Sequence, residues 1–229
     1  MKLPQPLARG KLLRRYKRFF ADILLDSGEE ITAVTPNTGS MKGVCIVGAP
    51  VMVSYSESPT RKYPYTWELV EISNKWVGIN THMPNALTAE ALSAGTIPEL
   101  THYKTFRREI KLPSGSRIDF SLGDDDALLE VKNVSLVENG IALFPDSVTE
   151  RGTRHLHELM EHVASGKHSY MLYIVQHHLA KSFSPADAID PVYGTTVRDA
   201  YSAGVKLLAM KARVTERDIT LSEPLSINL

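Results

Sequence analysis

The chain has 229 residues, of which 43% are hydrophobic and 23% charged, which is enough to bury the core of one large domain or two modest ones. Its single cysteine excludes an internal disulfide, and because it has neither an apolar leader nor an apolar run of about 18 residues, we expect a soluble cytoplasmic protein without a membrane span. The 26 basic and 26 acidic residues balance, but residues 1–80 hold 11 Lys and Arg against 7 Asp and Glu, an excess that suits a polyanionic partner or a solvated basic tail.

The first third of the chain has the pattern of several short strands. Residues 11–25 interleave aromatic and basic side chains, and Asp26-Ser27-Gly28 then turns the chain into a strand at 30–34. Three further strands are predicted, at 51–55, 66–72 and 75–80. Five short strands within about 80 residues are typical of a small closed sheet, and we predict a five-stranded barrel of the OB type.

Barrels of this type commonly bind nucleic acid through a basic face that carries aromatic side chains. The candidates for such a face are Arg15, Tyr16, Lys17, Arg18, Lys42, Arg61, Lys62 and Tyr63. Half-burial of the aromatic residues in the barrel wall is the alternative interpretation. No helix-turn-helix or zinc-finger pattern accompanies these residues, so the predicted DNA binding is largely independent of sequence.

A helix predicted over residues 85–94 and ended by Gly95 separates the two halves of the chain. We expect one domain at residues 1–82 and a second at residues 83–229. The elements predicted in the second are a strand at 104–112, a hairpin at 116–133, a helix after Phe144-Pro145-Asp146, a strand at 170–176, a helix at 195–203 and a final strand at 205–214.

The hairpin carries the residues with the clearest chemistry. Gly123 and the three aspartates after it are turn residues, and residues two apart on a strand share a face. Glu130 and Lys132 therefore point the same way, and pairing across the turn brings Asp119 near Glu130. Two carboxylates and an amine on one surface suit a divalent cation that holds a water molecule, which points to phosphodiester chemistry.

The tripeptide Glu-x-Lys is by itself a weak signal, because about one copy is expected by chance in a chain of this composition. It occurs twice, at Glu109-Ile110-Lys111 and at Glu130-Val131-Lys132. Only the second copy has an aspartate at hairpin distance before it, and that favours the second copy. An ordinary hairpin with solvated charges is the alternative.

The helix that follows Asp146 has a predicted capping box at Ser147 to Glu150, which gives Glu150 a structural role. Arg151, His155, Glu158 and His162 recur at helical spacing, with Arg154 close by. That face is either a phosphate contact, with Arg151 and Arg154 as DNA-binding residues, or a solvated surface.

Several motifs along the chain, taken together, resemble the bacterial and archaeal sugar fermentation stimulation protein A (SfsA) family. They are Arg15-Tyr16-Lys17-Arg18-Phe19, Pro36-Asn37-Thr38-Gly39-Ser40-Met41, Arg61-Lys62-Tyr63-Pro64 with Thr66-Trp67-Glu68, Ser116-Arg117-Ile118-Asp119-Phe120, Glu130-Val131-Lys132, and Phe144-Pro145-Asp146 with Thr149-Glu150-Arg151-Gly152 and His155-Leu156. The matches span essentially the whole chain in order.

The resemblance implies an α/β (α+β) protein, in which an OB-like barrel precedes a mixed-sheet domain similar to the PD-(D/E)xK nuclease superfamily. It also implies sequence-independent DNA binding and a regulatory link to sugar (maltose) metabolism. Carried over to this chain, the metal-binding acids are Asp119 and Glu130, the catalytic lysine is Lys132, and Glu90 is a candidate for a further acid on the first helix. Position 118 is Ile where the motif's name has Pro.

Two hypotheses stay open on the sequence. In the first, the protein is a DNA-binding nuclease in which Asp119 and Glu130 hold Mg²⁺ or Mn²⁺ and Lys132 assists the attacking water. In the second, it is a DNA-binding regulator without turnover, because a nuclease fold does not establish catalysis. The barrel also leaves an RNA or single-stranded substrate open, and the sequence does not indicate an oligomeric state.

Overall fold

The computed structural model describes every residue from Met1 to Leu229 and begins with a closed barrel. Its strands are β1 (Leu7–Tyr16), β2 (Phe20–Leu25), β3 (Glu30–Val34), β4 (Pro50–Tyr55), β5 (Tyr65–Ile72) and β6 (Lys75–Gly78). They lie in the order β3-β2-β1-β4-β5-β6, and an additional parallel pairing of β3 with β5 closes the sheet. The predicted five-stranded OB-like barrel is therefore confirmed, formed by β1–β5.

The prediction of one strand over residues 11–25 is wrong, because the chain turns between Tyr16 and Phe20, which pair with each other across β1 and β2. Lys17 and Arg18 adopt the left-handed conformation, with φ of 49° and 60°. Neither residue is glycine, so the sequence carries no local signal for this turn. The predicted fifth strand is β6, which extends β5 as a hairpin outside the closure.

The rest of the chain forms two mixed sheets, three α-helices and a short 3₁₀ helix at Pro98–Leu100. The helices are α1 (Met83–Ala94), α2 (Glu150–Ala164) and α3 (Pro191–Ser202). The strands are β7 (Phe106–Lys111), β8 (Arg117–Leu122), β9 (Ala127–Val134), β10 (Leu136–Glu138), β11 (Ile141–Phe144), β12 (His168–Val175), β13 (Ser182–Pro185), β14 (Lys206–Val214), β15 (Ile219–Pro224) and β16 (Ser226–Ile227). None of the helices has the length and apolar character that crossing a bilayer requires.

The larger of the two sheets has the order β15-β14-β12-β9-β8-β7, with β9, β12 and β14 parallel to one another. The smaller sheet has the order β10-β11-β13-β16. Residues 205–214 do not form the last strand as predicted, since β15 and β16 follow them. The strands missing from the prediction are short or lie on sheet edges, where apolar alternation is too brief to detect.

Three helix starts differ from the prediction, and the first is that of α1, which begins at Met83, two residues before the predicted position 85. The N-cap of α2 is Thr149, whose hydroxyl accepts a hydrogen bond from the Gly152 amide at 3.0 Å, so Glu150 is the first helical residue and no capping box forms at Ser147. Helix α3 begins at Pro191, where the Asp190 carboxylate caps the Tyr193 amide at 3.0 Å. Helix α1 ends at Gly95 in the left-handed conformation, as predicted.

The larger sheet is covered by helices on both faces. Leu87 of α1 packs in a core with Leu129 of β9, and Leu156 of α2 packs in a second core with Leu128 of the same strand. The core on the α1 side also contains Met52 and Leu69 of the barrel. Barrel and sheet therefore share buried apolar surface, which fixes the cleft that lies between them.

Candidate functional site

The β8–β9 hairpin splays apart at Asp119 and Glu130, which we call the acid pair. Regular pairing of the two strands ends at Phe120–Leu129. At the next position the Asp119 carboxylate takes the place of a backbone partner and accepts the Val131 amide at 2.8 Å, while the Asp119 amide donates to Glu130 Oε2 at 3.3 Å. Asp119 is thus held against β9 by both its backbone and its side chain, with its carboxylate beside that of Glu130.

Asp119 has a further partner on α1. Asn85, in the first turn of that helix, donates from Nδ2 to Asp119 Oδ1 at 2.7 Å. Because the other oxygen of Asp119 already accepts the Val131 amide, both carboxylate oxygens have a fixed donor. The orientation of Asp119 therefore depends on the position of α1 against the sheet.

Glu130 is buried and faces α2. Its Oε1 accepts from Lys132 Nζ at 2.6 Å and also contacts Nδ1 of His155, which is itself only 1% exposed. Lys132 Nζ lies 3.3 Å from the same His155 nitrogen. Helix α2 thus covers the side of Glu130 that faces away from the cleft. Neither Glu130 nor Lys132, which form an ion pair, is freely solvated.

The two carboxyl groups differ strongly in proton affinity. Burial, and then the nearby charge of Glu130, raise the pKa of Asp119 to about 6. Burial by itself would raise the pKa of Glu130 too, but the charge of Lys132 and the hydrogen bond with His155 outweigh it and lower that pKa to about 2. Asp119 therefore takes up a proton more readily than Glu130, which keeps its negative charge beside Lys132.

The acid pair and Lys132 lie in a cleft of about 490 Å³ between the barrel and the carboxyl-terminal sheets. Arg18, on the β1–β2 turn, borders the cleft from the barrel, and Arg151 borders it from the start of α2. The loop at residues 37–39 forms the barrel wall, and residues 143–149 form the wall opposite. The cleft is lined mainly by polar groups.

Arg15 orders the barrel wall of this cleft. Its guanidinium donates to the backbone oxygens of Arg18, Asn37, Gly39 and Ser40 at 2.8–3.3 Å. A hydrogen bond also connects this wall to the opposite one, because Asp146 Oδ2 accepts the Met41 amide at 2.8 Å. A Cβ on Gly39 would lie 2.5 Å from an oxygen of Asp146, so this close approach requires glycine.

The other predicted DNA-binding residues lie in different places. Lys42 pairs with Glu138 at 2.8 Å, Arg61 donates to the Thr66 hydroxyl at 3.0 Å, and the Lys62 ammonium lies over the Tyr63 ring. The hydroxyl of Tyr16 donates to Asp22 at 3.2 Å. Lys17 and Arg154 are exposed and lie outside the cleft lining.

The structure adds two residues to the site and removes one candidate. Asn85 and His155 contact the acid pair, although neither was predicted as a site residue; His155 lies on the α2 face predicted to be a phosphate contact or solvated. Glu90, the candidate acid on α1, is exposed and pairs with the terminal amine of Met1 at 2.9 Å. It is not part of the cleft. The chain has no group of three or more His, Cys, Asp or Glu side chains that could hold a metal ion.

Comparison with known proteins identifies the family. The chain matches two family models, the "SfsA N-terminal OB domain" over residues 13–79 and the "Sugar fermentation stimulation protein RE domain" over residues 82–218. It is 52% identical to the sugar fermentation stimulation protein homolog of Citrifermentans bemidjiense over 231 aligned positions that cover 100% of both chains. The chain belongs to the SfsA family.

Other SfsA relatives agree over the full length. The homolog of Geobacter sulfurreducens is 50% identical, with 99% of this chain and 98% of the relative covered. The homolog of Thermosynechococcus vestitus is 46% identical over 93% of this chain and 92% of its own. The solved structure of Pyrococcus furiosus SfsA, described as a complex with Ca²⁺, has a TM-score of 0.90 at 24% identity and covers 100% of this chain and 98% of its own, which shows a common fold.

Proposed function

We propose that this member of the SfsA family binds DNA largely without regard to sequence and hydrolyses phosphodiester bonds at a divalent-metal site. The observation that carries the proposal is the convergence of Asp119, Glu130 and Lys132 in one cleft. Arg18 and Arg151 border that cleft from two sides. Guanidinium groups suit phosphate oxygens, because their planar donors can form paired hydrogen bonds.

The chemistry of the acid pair fits Mg²⁺ or Mn²⁺. Two carboxylates offer hard oxygen donors, and Mg²⁺ is commonly bound by one or two carboxylates while it keeps several water molecules. Burial and the neighbouring charge of Glu130 raise the pKa of Asp119, and a cation bound between the two carboxylates would offset that second effect. The archaeal SfsA structure was described with Ca²⁺, another cation that prefers oxygen ligands. When bound, such a cation supplies a Lewis acid for the phosphoryl oxygen and a more acidic water.

The residues of the chain have distinct roles in this proposal. Asp119 and Glu130 hold the cation, and Asn85 keeps Asp119 in the orientation that faces the cleft. Lys132 carries the positive charge that stabilises the phosphorane-like transition state. His155 immobilises the Glu130 carboxylate from beneath, together with Lys132.

A second candidate function is a DNA-binding regulator of sugar metabolism that does not cleave DNA. The observation in its favour is that the carboxylate oxygens of Asp119 and Glu130 already accept hydrogen bonds from protein donors. The names of the relatives describe the stimulation of sugar fermentation and not a nuclease. In both functions the protein acts on DNA in the cytoplasm.

The two functions are separated by a nuclease assay on plasmid and on single- and double-stranded oligonucleotides with Mg²⁺, Mn²⁺ or EDTA. Metal-dependent cleavage that is lost in Asp119→Asn and retained in Asp187→Asn supports the nuclease. Asp187 is a suitable control because it is an exposed aspartate paired with Arg198, away from the cleft. DNA binding without cleavage under either metal would assign the protein to the regulator.

A further inference from the structure

The surface of the barrel beside the cleft carries a group of aromatic rings. Phe20 lies at its centre, with ring centroids 5.8 Å from Tyr16 and 4.8 Å from Tyr63. Phe19, on the β1–β2 turn, is 52% exposed. We call Tyr16, Phe19, Phe20 and Tyr63 the aromatic patch. The rings of Tyr16, Phe20 and Tyr63 pack at tilted angles and remain only partly covered, which is unusual for aromatic side chains that serve a core alone.

A second aromatic pair, Tyr55 and Tyr65, lies elsewhere on the barrel. The strand register places Phe20 opposite Val34, and the segment at Ala33 and Val34 pairs with β5 at Tyr65. The Tyr65 ring in turn lies 5.1 Å from that of Tyr55, which is 57% exposed. Tyr65 pairs with Ala33 rather than with Val34, so it faces the opposite side of the sheet from Phe20, and this pair is not part of the aromatic patch.

Basic side chains accompany the rings of the aromatic patch. The Arg14 guanidinium lies 5.1 Å from the centroid of Tyr16, and the Lys62 ammonium lies 5.6 Å from that of Tyr63. Lys17, on the β1–β2 turn next to Tyr16, and Arg61, next to Lys62, are also exposed. The surface thus carries cations, which attract phosphates, and aromatic rings, which can contact apolar, planar groups.

That combination distinguishes between the two forms of DNA. Phosphates of single and double strands attract cations alike, but the bases of a duplex are stacked inside it and cannot reach aromatic side chains on a surface. Bases of a single strand can stack on them, and each stacked base strengthens binding in a manner tolerant of sequence. Of the two forms of DNA, only a single strand can therefore stack its bases on exposed rings.

The aromatic patch and the cleft adjoin at the β1–β2 turn. Phe19 and Arg18 are neighbours on the same tight turn, and Arg18 borders the cleft that contains Asp119 and Glu130. We propose that the aromatic patch binds single-stranded DNA and delivers that strand, rather than a duplex, to the acid pair. This inference rests on the proposed function, because it specifies the form of DNA that the same site receives.

The test measures binding in EDTA, so that it does not depend on cleavage. A fluorescent single strand of roughly 20 nucleotides, longer than the ~4–16 nucleotides that one OB fold covers, is compared by anisotropy with its duplex at one salt concentration. The intact protein should bind the single strand at least about tenfold more tightly. Phe19→Ala and Tyr63→Leu should each weaken the single strand by roughly fivefold or more and leave the duplex nearly unchanged.

Tyr201→Ala is the matched control, because Tyr201 is 59% exposed on α3, away from the barrel; it should bind both forms like the intact chain. Phe19 is exposed, so its variant keeps the result interpretable if Tyr63→Leu fails to fold. Equal or tighter binding of the duplex, or unchanged single-strand binding in Phe19→Ala, would overturn the inference alone. Binding of neither form would overturn the proposed DNA binding as well, and tighter binding of the equivalent RNA strand would overturn the assignment to DNA.

Discussion

Lys132 has two partners, and they determine what its removal should do. Its ammonium is only partly solvated, and it neutralises a glutamate that is almost fully buried. A lysine on an ordinary hairpin surface would be exchangeable at little cost to stability, which is the expectation from sequence alone. The contact with Glu130 and His155 changes that expectation, because a buried carboxylate left without its cation is strongly destabilising.

Lys132→Ala should therefore lower the free energy of unfolding by about 3 kcal/mol at neutral pH. The loss should shrink as the pH falls, since the Glu130 pKa of about 2 lies below its ordinary 4.5. A lowered carboxyl pKa contributes stability above pH 4.5 that is lost toward pH 2. Urea unfolding of both chains from pH 7 to pH 3 measures this.

Cleavage, if the nuclease proposal holds, should fall about 100- to 1,000-fold in the same variant. Lys181→Ala is the control, because Lys181 is exposed and is not part of the cleft lining. A variant at position 132 that unfolds like the intact chain at every pH would show that the Glu130 contact contributes nothing to stability.

Asn85 provides a second prediction at this scale. Asn85→Ala removes the only side-chain donor to Asp119, and loss of a group that orients a metal ligand typically lowers metal affinity about 10- to 100-fold. Calorimetric titration with Mn²⁺ measures the change directly. Asn228→Ala, an exposed asparagine near the carboxyl end, should bind Mn²⁺ like the intact chain. Unchanged affinity in Asn85→Ala would show that the Asn85 hydrogen bond does not orient a metal ligand.

At the scale of elements, the β1–β2 turn and the loop at residues 36–41 form one wall of the cleft, and two arginines of this region have different tasks. Arg15 is turned inward to four backbone oxygens, whereas Arg18 is exposed at the rim. Burial lowers the pKa of Arg15, as expected for a cation withdrawn from water. Sequence proximity suggested one basic face, but the structure separates a residue that builds the wall from a residue available to phosphate.

Arg15→Ala should consequently reduce stability by about 1–3 kcal/mol, because several backbone carbonyls lose their donor. Arg18→Ala should melt like the intact chain. It should weaken DNA binding by a similar factor for all sequences and reduce the slope of log affinity against log salt by about 1. Thermal melting and anisotropy at several salt concentrations test the pair. Loss of affinity without loss of stability in Arg15→Ala would instead make Arg15 a direct phosphate contact.

At the scale of the whole molecule, the barrel and the carboxyl-terminal sheets are joined by more than a linker. Met52 and Leu69 of the barrel share a core with Leu129. The Gly78 amide donates to the Gln176 carbonyl at 3.2 Å, and the Trp76 indole donates to Glu216 at 3.0 Å. This interface joins the two walls of the cleft. Moving the barrel away from the sheets would expose apolar surface that is now buried.

The shared core predicts that the chain unfolds in a single cooperative transition, with calorimetric and van't Hoff enthalpies that agree. Gly78→Ala should lower the melting temperature without splitting the transition, because a Cβ there would lie 2.2 Å from the Gln176 side-chain oxygen. Differential scanning calorimetry measures both properties. Two separate transitions in the intact chain would show that the barrel and the sheets are independent units.

The sequence by itself determined the elements whose signals are local. The turn residues at 123–126 and the alternation around them predicted the β8–β9 hairpin and therefore the meeting of Asp119 with Glu130, and Gly95 marked the end of α1. The run of five short strands predicted the OB-like barrel, and the family resemblance implied the mixed sheets that follow it.

Only the tertiary structure decided which other side chains enter the site. Asn85 reaches Asp119 across 34 positions of sequence, and His155 reaches Glu130 across 25. Such contacts depend on how the helices pack on the two faces of a sheet. The hydrophobic periodicity of a helix predicts which of its residues are buried, but not which residues of the sheet they meet. The inward direction of Arg15 has the same origin, since its partners are backbone oxygens of a loop that the barrel closure brings to it.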